Sequence, residues 1–203
     1  MAKELLLYCA RKPITGLRTI QVLKIFRSLR EKLPFLNISN LATTQYSLVA
    51  ERLRVSPELV RSIVDEWMFQ RPLDHLKTCM HHGLNSFLAF LGSKEISVGI
   101  FSDYPAESKL ISLGLNFEVI VDAEDPEVDR LKPNPRGLKV CTQLLGQKPS
   151  NCLFIGDRDD RDGECARRIG MPYLLYDRAH LDANRFHSYL ALLNQFQRAT
   201  STR

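Results

Sequence analysis

The chain has 203 residues, of which 44% are hydrophobic and 25% charged, as is usual for folded globular proteins, so wholesale disorder is excluded. No stretch approaches 18 uninterrupted apolar residues, which excludes a candidate membrane-spanning helix. The net charge is +5, and residues 1–72 hold 12 Lys or Arg against 6 Asp or Glu, so the rest of the chain sums to −1. We interpret the basic first third as a solvated helix face. It lacks the interleaved aromatic residues of a nucleic-acid surface, so no nucleic acid and no membrane partner is expected.

The five cysteines are odd in number, widely spread and contain no Cys-x-x-Cys pair. This pattern fits a reducing compartment better than a disulfide framework or a zinc site. The first residues make a poor signal peptide, because Glu4 lies where a basic region belongs and Arg11-Lys12 follow the short apolar run. We therefore expect a cytoplasmic protein.

The first ninety residues read as helices. Apolar residues recur about every three positions from Gly16 to Lys32, with the basic residues Arg18, Lys24, Arg27 and Arg30 between them. Ser56-Pro57-Glu58 is typical of a helix start, since serine caps free N–H groups and proline suits the first turn. A third apolar helix fits 82–91. The run 5–9 is interpreted as a helix, although a strand is the alternative.

After Gly92 the pattern changes to short apolar runs separated by helical stretches. The runs are Ile96–Phe101, Phe117–Val121, Cys152–Ile155 and Tyr173–Tyr176, and the helices lie near 106–113, 136–145 and 162–169. This alternation predicts a parallel sheet covered on both faces. Polar residues follow each run, and ligands of open parallel sheets bind at that edge. The expected shared rim comprises Ser102, Asp103, Asp122, Asp157 and Asp177.

Three features of this half suit phosphoryl chemistry. Ser102 can hold phosphate oxygens with its hydroxyl group and the adjacent backbone N–H. Lys132, in Leu131-Lys132-Pro133, offers a compact cation that can neutralise a transferring group. Asp157 and Asp162, five residues apart on a loop that enters a helix, can hold a magnesium ion, which prefers oxygen ligands.

The order of these features resembles the motifs of the haloacid dehalogenase (HAD) superfamily, whose members are mostly magnesium-dependent phosphatases. Ile100-Phe101-Ser102-Asp103 matches the strand that ends in Ser or Thr, and Lys132 matches the lysine motif. Phe154-Ile155-Gly156-Asp157, followed by Asp162, Ala166, Gly170 and Met171, matches the Gly-Asp motif. The match is strong over residues 80–177.

The resemblance implies an α/β fold with a Rossmann-like parallel sheet, helices on both faces and a helical cap. It assigns residues 1–80 to the cap and 81–203 to the core. Ser102 and Asp103 would bind phosphate, Lys132 would be catalytic, and Asp157 would bind Mg²⁺. Asp162 would bind metal or position the lysine. The implied partner is a small phosphorylated substrate.

One family motif has no counterpart. The resemblance implies an Asp-x-Asp at the end of a first, central strand, with the first Asp as nucleophile and the second as general acid/base. The first aspartate here is Asp65, and Asp157, Asp159 and Asp160 belong to the later motif. The central strand is therefore expected to be missing. Its absence leaves two neighbouring strands with unpaired backbone groups.

Three explanations remain open. The chain could lack an N-terminal piece that carries the first strand, it could be a catalytically dead binding or regulatory module, or a separate chain could supply the strand. In each case we expect the 203-residue chain to be inactive as a phosphatase by itself. The sequence names neither the substrate nor the oligomeric state.

Overall fold

The computed structural model describes residues 2–36, 38–180 and 182–201, and the first part of the chain is helical. The helices are α1 (Ala2–Arg11), α2 (Pro13–Lys32), α3 (Leu41–Leu53), α4 (Pro57–Val64) and α5 (Leu76–Cys79). Single-turn segments follow α2 at Leu33–Phe35 and follow α4 at Asp65–Gln70 and Arg71–His75. The prediction of a helix over residues 5–9 is confirmed by α1.

The helical region has its own apolar core. Its buried members include Phe26 on α2, Tyr46 on α3, Val60 on α4 and Trp67 in the turn after α4. The predicted helix start at Ser56 is confirmed, because the Ser56 side chain accepts the backbone N–H of Leu59 at 3.3 Å. This core buries one stripe of each amphipathic helix, which is the main source of helix stability in folded proteins.

Strands and helices alternate in the second part of the chain. The elements are α6 (Leu84–Ser93), β1 (Gly99–Ser102), α7 (Glu107–Leu113), β2 (Val119–Asp122), α8 (Arg136–Leu144), β3 (Phe154–Gly156), α9 (Glu164–Arg167), β4 (Tyr173–Tyr176), β5 (Arg185–Phe186) and α10 (Tyr189–Ser201). All four predicted strands are confirmed, but three begin two or three residues later than the apolar runs do. An apolar run indicates which residues are buried, whereas the first residue of a strand is set by where backbone hydrogen bonding to the neighbouring strand begins.

All strand pairs among the described residues are parallel. β1 pairs with β2, from Gly99 opposite Val119 to Ser102 opposite Asp122. β3 pairs with β4, and β4 with β5. Helices cover both faces, since Phe154 packs in the cluster with α8 and α9, while its neighbour Ile155 packs in the cluster with α6 and α10. The predicted α/β fold with a parallel sheet is confirmed.

The sheet is divided into two parts. Among the described residues, β1 and β2 form one sheet and β3, β4 and β5 another, with no strand between β1 and β3. This arrangement agrees with the predicted absence of the central strand. The predicted division into domains at residue 80 stays a prediction, although α6 packs against α10 rather than against the helical core.

In the part of the chain that the structure describes, no helix has the length and apolar character needed to cross a membrane.

Candidate active site

The carboxyl ends of β1 and β3 bring the sequence-predicted site residues together. Ser102 ends β1 and Asp103 comes directly after it. Lys132 lies in the loop between β2 and α8, and Asp157 comes directly after β3. Asp162 lies in the π-helical turn Asp159–Gly163 that leads into α9. Because the strands are parallel, these loops meet at the same edge of the fold.

Lys132 links the loops after both strands. Its Nζ lies 2.6 Å from Oδ1 of Asp162, and its backbone N–H donates to Oδ1 of Asp103 at 3.0 Å. Nζ also lies 5.3 Å from the ring centre of Phe101 on β1 and 5.7 Å from that of Phe154 on β3. The ammonium group of Lys132 therefore lies near the carboxyl ends of both β1 and β3. The aromatic rings beside it lower the local dielectric constant, which strengthens its interactions with anions.

Asp162 is almost fully buried and has both carboxylate oxygens engaged. Oδ1 faces Lys132, and Oδ2 accepts the backbone N–H groups of Asp157 and Arg158, each at 3.0 Å. Burial favours the neutral acid, but the Lys132 charge and these hydrogen bonds outweigh it and lower the pKa of Asp162. Gly156 makes this close packing possible, since a Cβ there would lie 2.5 Å from the Cβ of Asp162.

The pKa values of the other two acids shift in the opposite direction. Burial raises the pKa of Asp103, against the opposing charge of Lys132. Partial loss of hydration raises the pKa of Asp157, and the negative charge of Asp162 adds to this effect. Three carboxyl groups thus surround one lysine. A site of this kind favours an additional cation, because like charges repel at short range.

Ser102 has its hydroxyl group available as a donor. Its Oγ accepts the backbone N–H of Tyr104 at 3.1 Å, which leaves the hydroxyl proton to point elsewhere. The other two members of the expected rim bond within their own loops. Asp122 accepts from the backbone of Glu124, and Asp177 pairs with Arg185 at 2.8 Å.

A divalent cation has only part of a site among these residues. Asp157 and Asp162 supply the hard oxygen atoms that magnesium prefers. No group of three or more His, Cys, Asp or Glu side chains suited to a metal occurs among the described residues. Asp162 also contacts Lys132 and backbone N–H groups, which favours a role in positioning the lysine over direct binding of the metal. A complete site needs further ligands from substrate, water or another segment.

Sequence reasoning missed the buried arginine of α2. The sequence pattern places Arg30 on a solvated basic face, but only 4% of Arg30 is exposed, so this prediction is wrong for Arg30. Its guanidinium donates to Gln45 and to the backbone oxygen of Asp103, and it lies 3.7 Å from Glu124. Its spacing of four residues from Phe26 on the apolar stripe of α2 was the available signal.

Two further charged contacts join the helical region to the site loops. Glu31 lies 2.9 Å from both Arg158 and Arg161, and the hydrogen bond from Arg158 is the main reason that the pKa of Glu31 falls to about 2. The backbone N–H groups of Asn40 and Leu41, at the start of α3, donate to Asp129 at 2.8 and 2.5 Å. Asp129 therefore joins the loop before Lys132 to the start of α3.

A sequence model of haloacid dehalogenase-like hydrolases matches residues 41–170. The chain belongs to this family of hydrolases.

Two curated relatives are phosphatases by name. The glyceraldehyde 3-phosphate phosphatase of Methanopyrus kandleri is 40% identical over 65 residues, which are 31% of this chain and 27% of the relative. The pyrophosphatase PpaX of Bacillus cereus is 37% identical over 79 residues, which are 37% of this chain and 36% of the relative. The chain thus spans about a quarter of the first relative's length and about a third of the second's.

Solved structures agree on the fold. The 2-haloacid dehalogenase of Pseudomonas syringae superposes with a TM-score of 0.60 at 19% identity, covering 88% of this chain and 80% of that one. A HAD phosphatase of Thermococcus onnurineus gives 0.57 at 16% identity over 88% and 91% of the two chains. At these identities the likeness concerns the fold alone.

Proposed function

We propose that the chain forms the phosphate- and magnesium-binding part of a hydrolase that acts on small phosphate monoesters. The observation that carries this proposal is the group of Asp103, Lys132, Asp157 and Asp162, which hydrogen bonds and an ion pair link at the ends of β1 and β3. Ser102 lies next to this group, as the last residue of β1. The phosphatase names of the two curated relatives support it. The five cysteines, all free, support a cytoplasmic location.

Each residue has a role in this proposal. The Ser102 hydroxyl and the backbone N–H of Asp103 donate to phosphate oxygens, and Lys132 neutralises the charge of the phosphoryl group. Asp162 holds Lys132 in place, and Asp157 is the metal ligand. The magnesium ion would supply the positive charge that the three carboxyl groups and the phosphate require.

Hydrolysis also requires a nucleophile. The resemblance implies an aspartate at the end of a strand between β1 and β3, and no described residue occupies that place. We therefore propose that the 203-residue chain binds magnesium and phosphate without turnover. We further propose that residues 1–80 act as the cap and residues 81–203 as the core, with the basic helical region favouring anionic substrates.

Binding can be tested on the 203-residue chain itself by thermal unfolding with Mg²⁺ and inorganic phosphate. At a hundredfold excess over the dissociation constant, stabilisation of about 2.7 kcal/mol should raise Tm by roughly 5–10 °C. Asp157→Asn should abolish the Mg²⁺-dependent part of the shift. Asp159→Asn, which changes an exposed acid of the same loop, should retain it. An unchanged Tm for the wild-type chain would refute the proposal.

Turnover is tested separately with p-nitrophenyl phosphate. We expect no hydrolysis by the 203-residue chain. We expect Mg²⁺-dependent hydrolysis when an apolar segment ending in Asp-x-Asp is supplied ahead of residue 1. In that form Lys132→Met should lose activity. An extended form that binds both ligands and stays inactive would favour the alternative, a catalytically dead binding or regulatory module.

A further inference from the structure

The first two helices form a hairpin whose tip is exposed. Only Lys12 separates α1 from α2, and the two helices touch where a Cβ on Gly16 would lie 2.6 Å from the Cα of Cys9. Tyr8 of α1 packs against the helical core. Residues 10–15, on either side of the link, are all exposed. The hairpin therefore packs on the helical core while its tip faces solvent.

Three large apolar side chains near the tip are exposed. Ile14 is 80% exposed, Leu17 59% and Leu7 58%. Ile14 and Leu17 are three positions apart, so they share one side of α2. Because a helix rises by about 1.5 Å per residue, all three residues lie within about 8 Å of Lys12 along the helix axes. Single exposed apolar residues are common, whereas several close together indicate a surface that binds a partner.

The same hairpin is strongly basic. Residues 2–30 contain seven Lys or Arg and a single acid, Glu4, which pairs with His75 at 2.8 Å. Six of the seven basic residues are exposed, and these are Lys3, Arg11, Lys12, Arg18, Lys24 and Arg27. The tip thus presents positive charge and apolar surface together. A partner that complements both has anionic groups next to an apolar interior.

We infer that this hairpin tip binds the surface of a membrane that contains anionic lipids. Helices that carry Lys and Arg beside exposed Leu and Ile lie in the headgroup region, where the cations meet phosphates and the apolar side chains reach the acyl chains. Sequence periodicity alone indicates a solvated basic face, and the exposed apolar residues are the reason to infer a lipid surface instead. This inference goes beyond the proposed hydrolysis, because it concerns where the protein binds and involves no reaction.

Other partners complement the tip less well. Nucleic acid would neutralise the basic residues but leave Ile14 and Leu17 in water, and residues 10–15 include no aromatic side chain for base stacking. The cores of protein interfaces are enriched in aromatic residues and depleted in lysine. A second copy of this chain would bring like charges together.

Sedimentation with lipid vesicles tests the inference on the full 203-residue chain. The vesicles consist of phosphatidylcholine alone or of phosphatidylcholine with about a third of phosphatidylglycerol, which supplies the anionic headgroups. At low salt we expect binding to the anionic vesicles to be at least about tenfold tighter than binding to the neutral ones. The affinity should fall as the salt concentration rises, because salt screens the attraction.

Paired substitutions test the apolar contribution. Ile14→Asn combined with Leu17→Asn should weaken binding to the anionic vesicles by about tenfold or more, because less apolar surface enters the lipid. Ile111→Asn combined with Leu144→Asn replaces equally exposed apolar residues on α7 and α8 and should leave binding unchanged. All four residues are exposed, so both variants should fold, which thermal unfolding checks.

A second pair of variants tests the charge. Arg11→Gln combined with Lys12→Gln should also weaken binding by about tenfold or more, since each basic residue near the lipid contributes about fivefold. Arg136→Gln combined with Lys139→Gln removes the same two charges from the exposed side of α8. This control should bind as the wild-type chain does.

A tryptophan at the tip reports insertion directly. Trp67 is the only tryptophan of the wild-type chain and is 2% exposed, so Ile14→Trp adds one accessible fluorophore. Vesicles with brominated acyl chains should quench the added fluorescence of Ile14→Trp. They should leave that of Ile111→Trp, on α7, unquenched.

Four results would overturn the inference. The first is no binding to the anionic vesicles at low salt. The second is an equal loss of affinity in the tip variants and their controls, which would indicate attraction to the whole basic protein. The third is self-association that Ile14→Asn with Leu17→Asn abolishes, which would make a second copy the partner. The fourth is tighter binding to a single-stranded RNA oligonucleotide than to the vesicles.

Discussion

At the scale of single residues, Asp162 holds the candidate site together. It is the point at which the lysine loop and the loop after β3 meet, through Lys132 Nζ at 2.6 Å and the N–H of Asp157 at 3.0 Å. A buried carboxylate is stable only when its charge and hydrogen-bonding capacity are matched. The contacts of Asp162 also place Lys132 beside the carboxyl ends of β1 and β3.

Asp162→Asn should destabilise the protein by about 3–5 kcal/mol at pH 7, because it leaves Lys132 without its buried partner. The lowered pKa of Asp162 contributes stability that is present above its unfolded value of 3.8 and is lost as pH falls through the folded value. The difference between wild type and variant should therefore shrink from pH 6 to pH 2. Urea unfolding at several pH values measures it.

Asp159→Asn is the control for this prediction, since Asp159 forms an exposed ion pair with Arg167 in the same loop. Exposed ion pairs contribute about 0–1 kcal/mol to the free energy of unfolding. Equal losses for the two variants, or a difference independent of pH, would contradict the central role of Asp162.

At the scale of elements, the approach of α8 to β1 depends on the absence of a side chain. A Cβ on Gly137 would lie 2.1 Å from the ring of Phe101, a strand residue that also faces Lys132. The packing of α8 against β1 therefore determines the position of the Phe101 ring, which lies beside Lys132 in the candidate site. Gly92 on α6 provides a contrast, because nothing lies within 4 Å of its would-be Cβ.

Two Gly→Ala substitutions should have opposite effects. Gly137→Ala should cost about 1–3 kcal/mol through overpacking against Phe101. Gly92→Ala should stabilise α6 by about 0.5–1 kcal/mol, since alanine has the higher helix propensity and meets no neighbour. Denaturant unfolding of both variants measures the sign of the change in the free energy of unfolding. A stabilising Gly137→Ala would show that α8 can move away from β1 without cost.

At the scale of the whole molecule, a few polar contacts join the helical region to the sheet region beside the site. Arg30 reaches Asp103 and Glu124, Glu31 reaches Arg158, and the start of α3 binds Asp129. These contacts hold α2 and α3 beside the loops of the predicted phosphate site. The relative position of the two regions therefore depends in part on Arg30, which the sequence pattern places on a solvated helix face.

Arg30→Leu should destabilise the protein by about 3–5 kcal/mol, because the carboxylate of Glu124 loses its cation and Oε1 of Gln45 loses its donor, so that only the hydrogen bond between Gln45 and Glu124 remains. Arg27→Leu, on the exposed face of the same helix, should change stability by less than about 0.5 kcal/mol. Urea unfolding compares the two variants. A small effect of Arg30→Leu would mean that the remaining contacts suffice to join the regions.

Much of the site could be predicted because its residues come directly after strand ends. The apolar runs that end at Ser102 and Gly156 revealed β1 and β3, and parallel strands bring the loops at their carboxyl ends to one edge of the sheet. Arg30 and Asp129 could not be assigned in this way. Their partners lie 73 and about 90 residues away, and local periodicity carries no information on contacts of that separation.

Sequence patterns alone predict the α/β class and the order of the site loops, and they show no Asp-x-Asp between residue 1 and β1, because hydrophobic periodicity and motif spacing are local properties of the chain. Folding alone shows that both carboxylate oxygens of Asp162 have partners, that Arg30 is buried, and that β1 and β3, which have no strand between them among the described residues, line the same apolar cavity. These features depend on which distant surfaces meet. Packing and hydrogen bonding in the folded chain determine which surfaces meet.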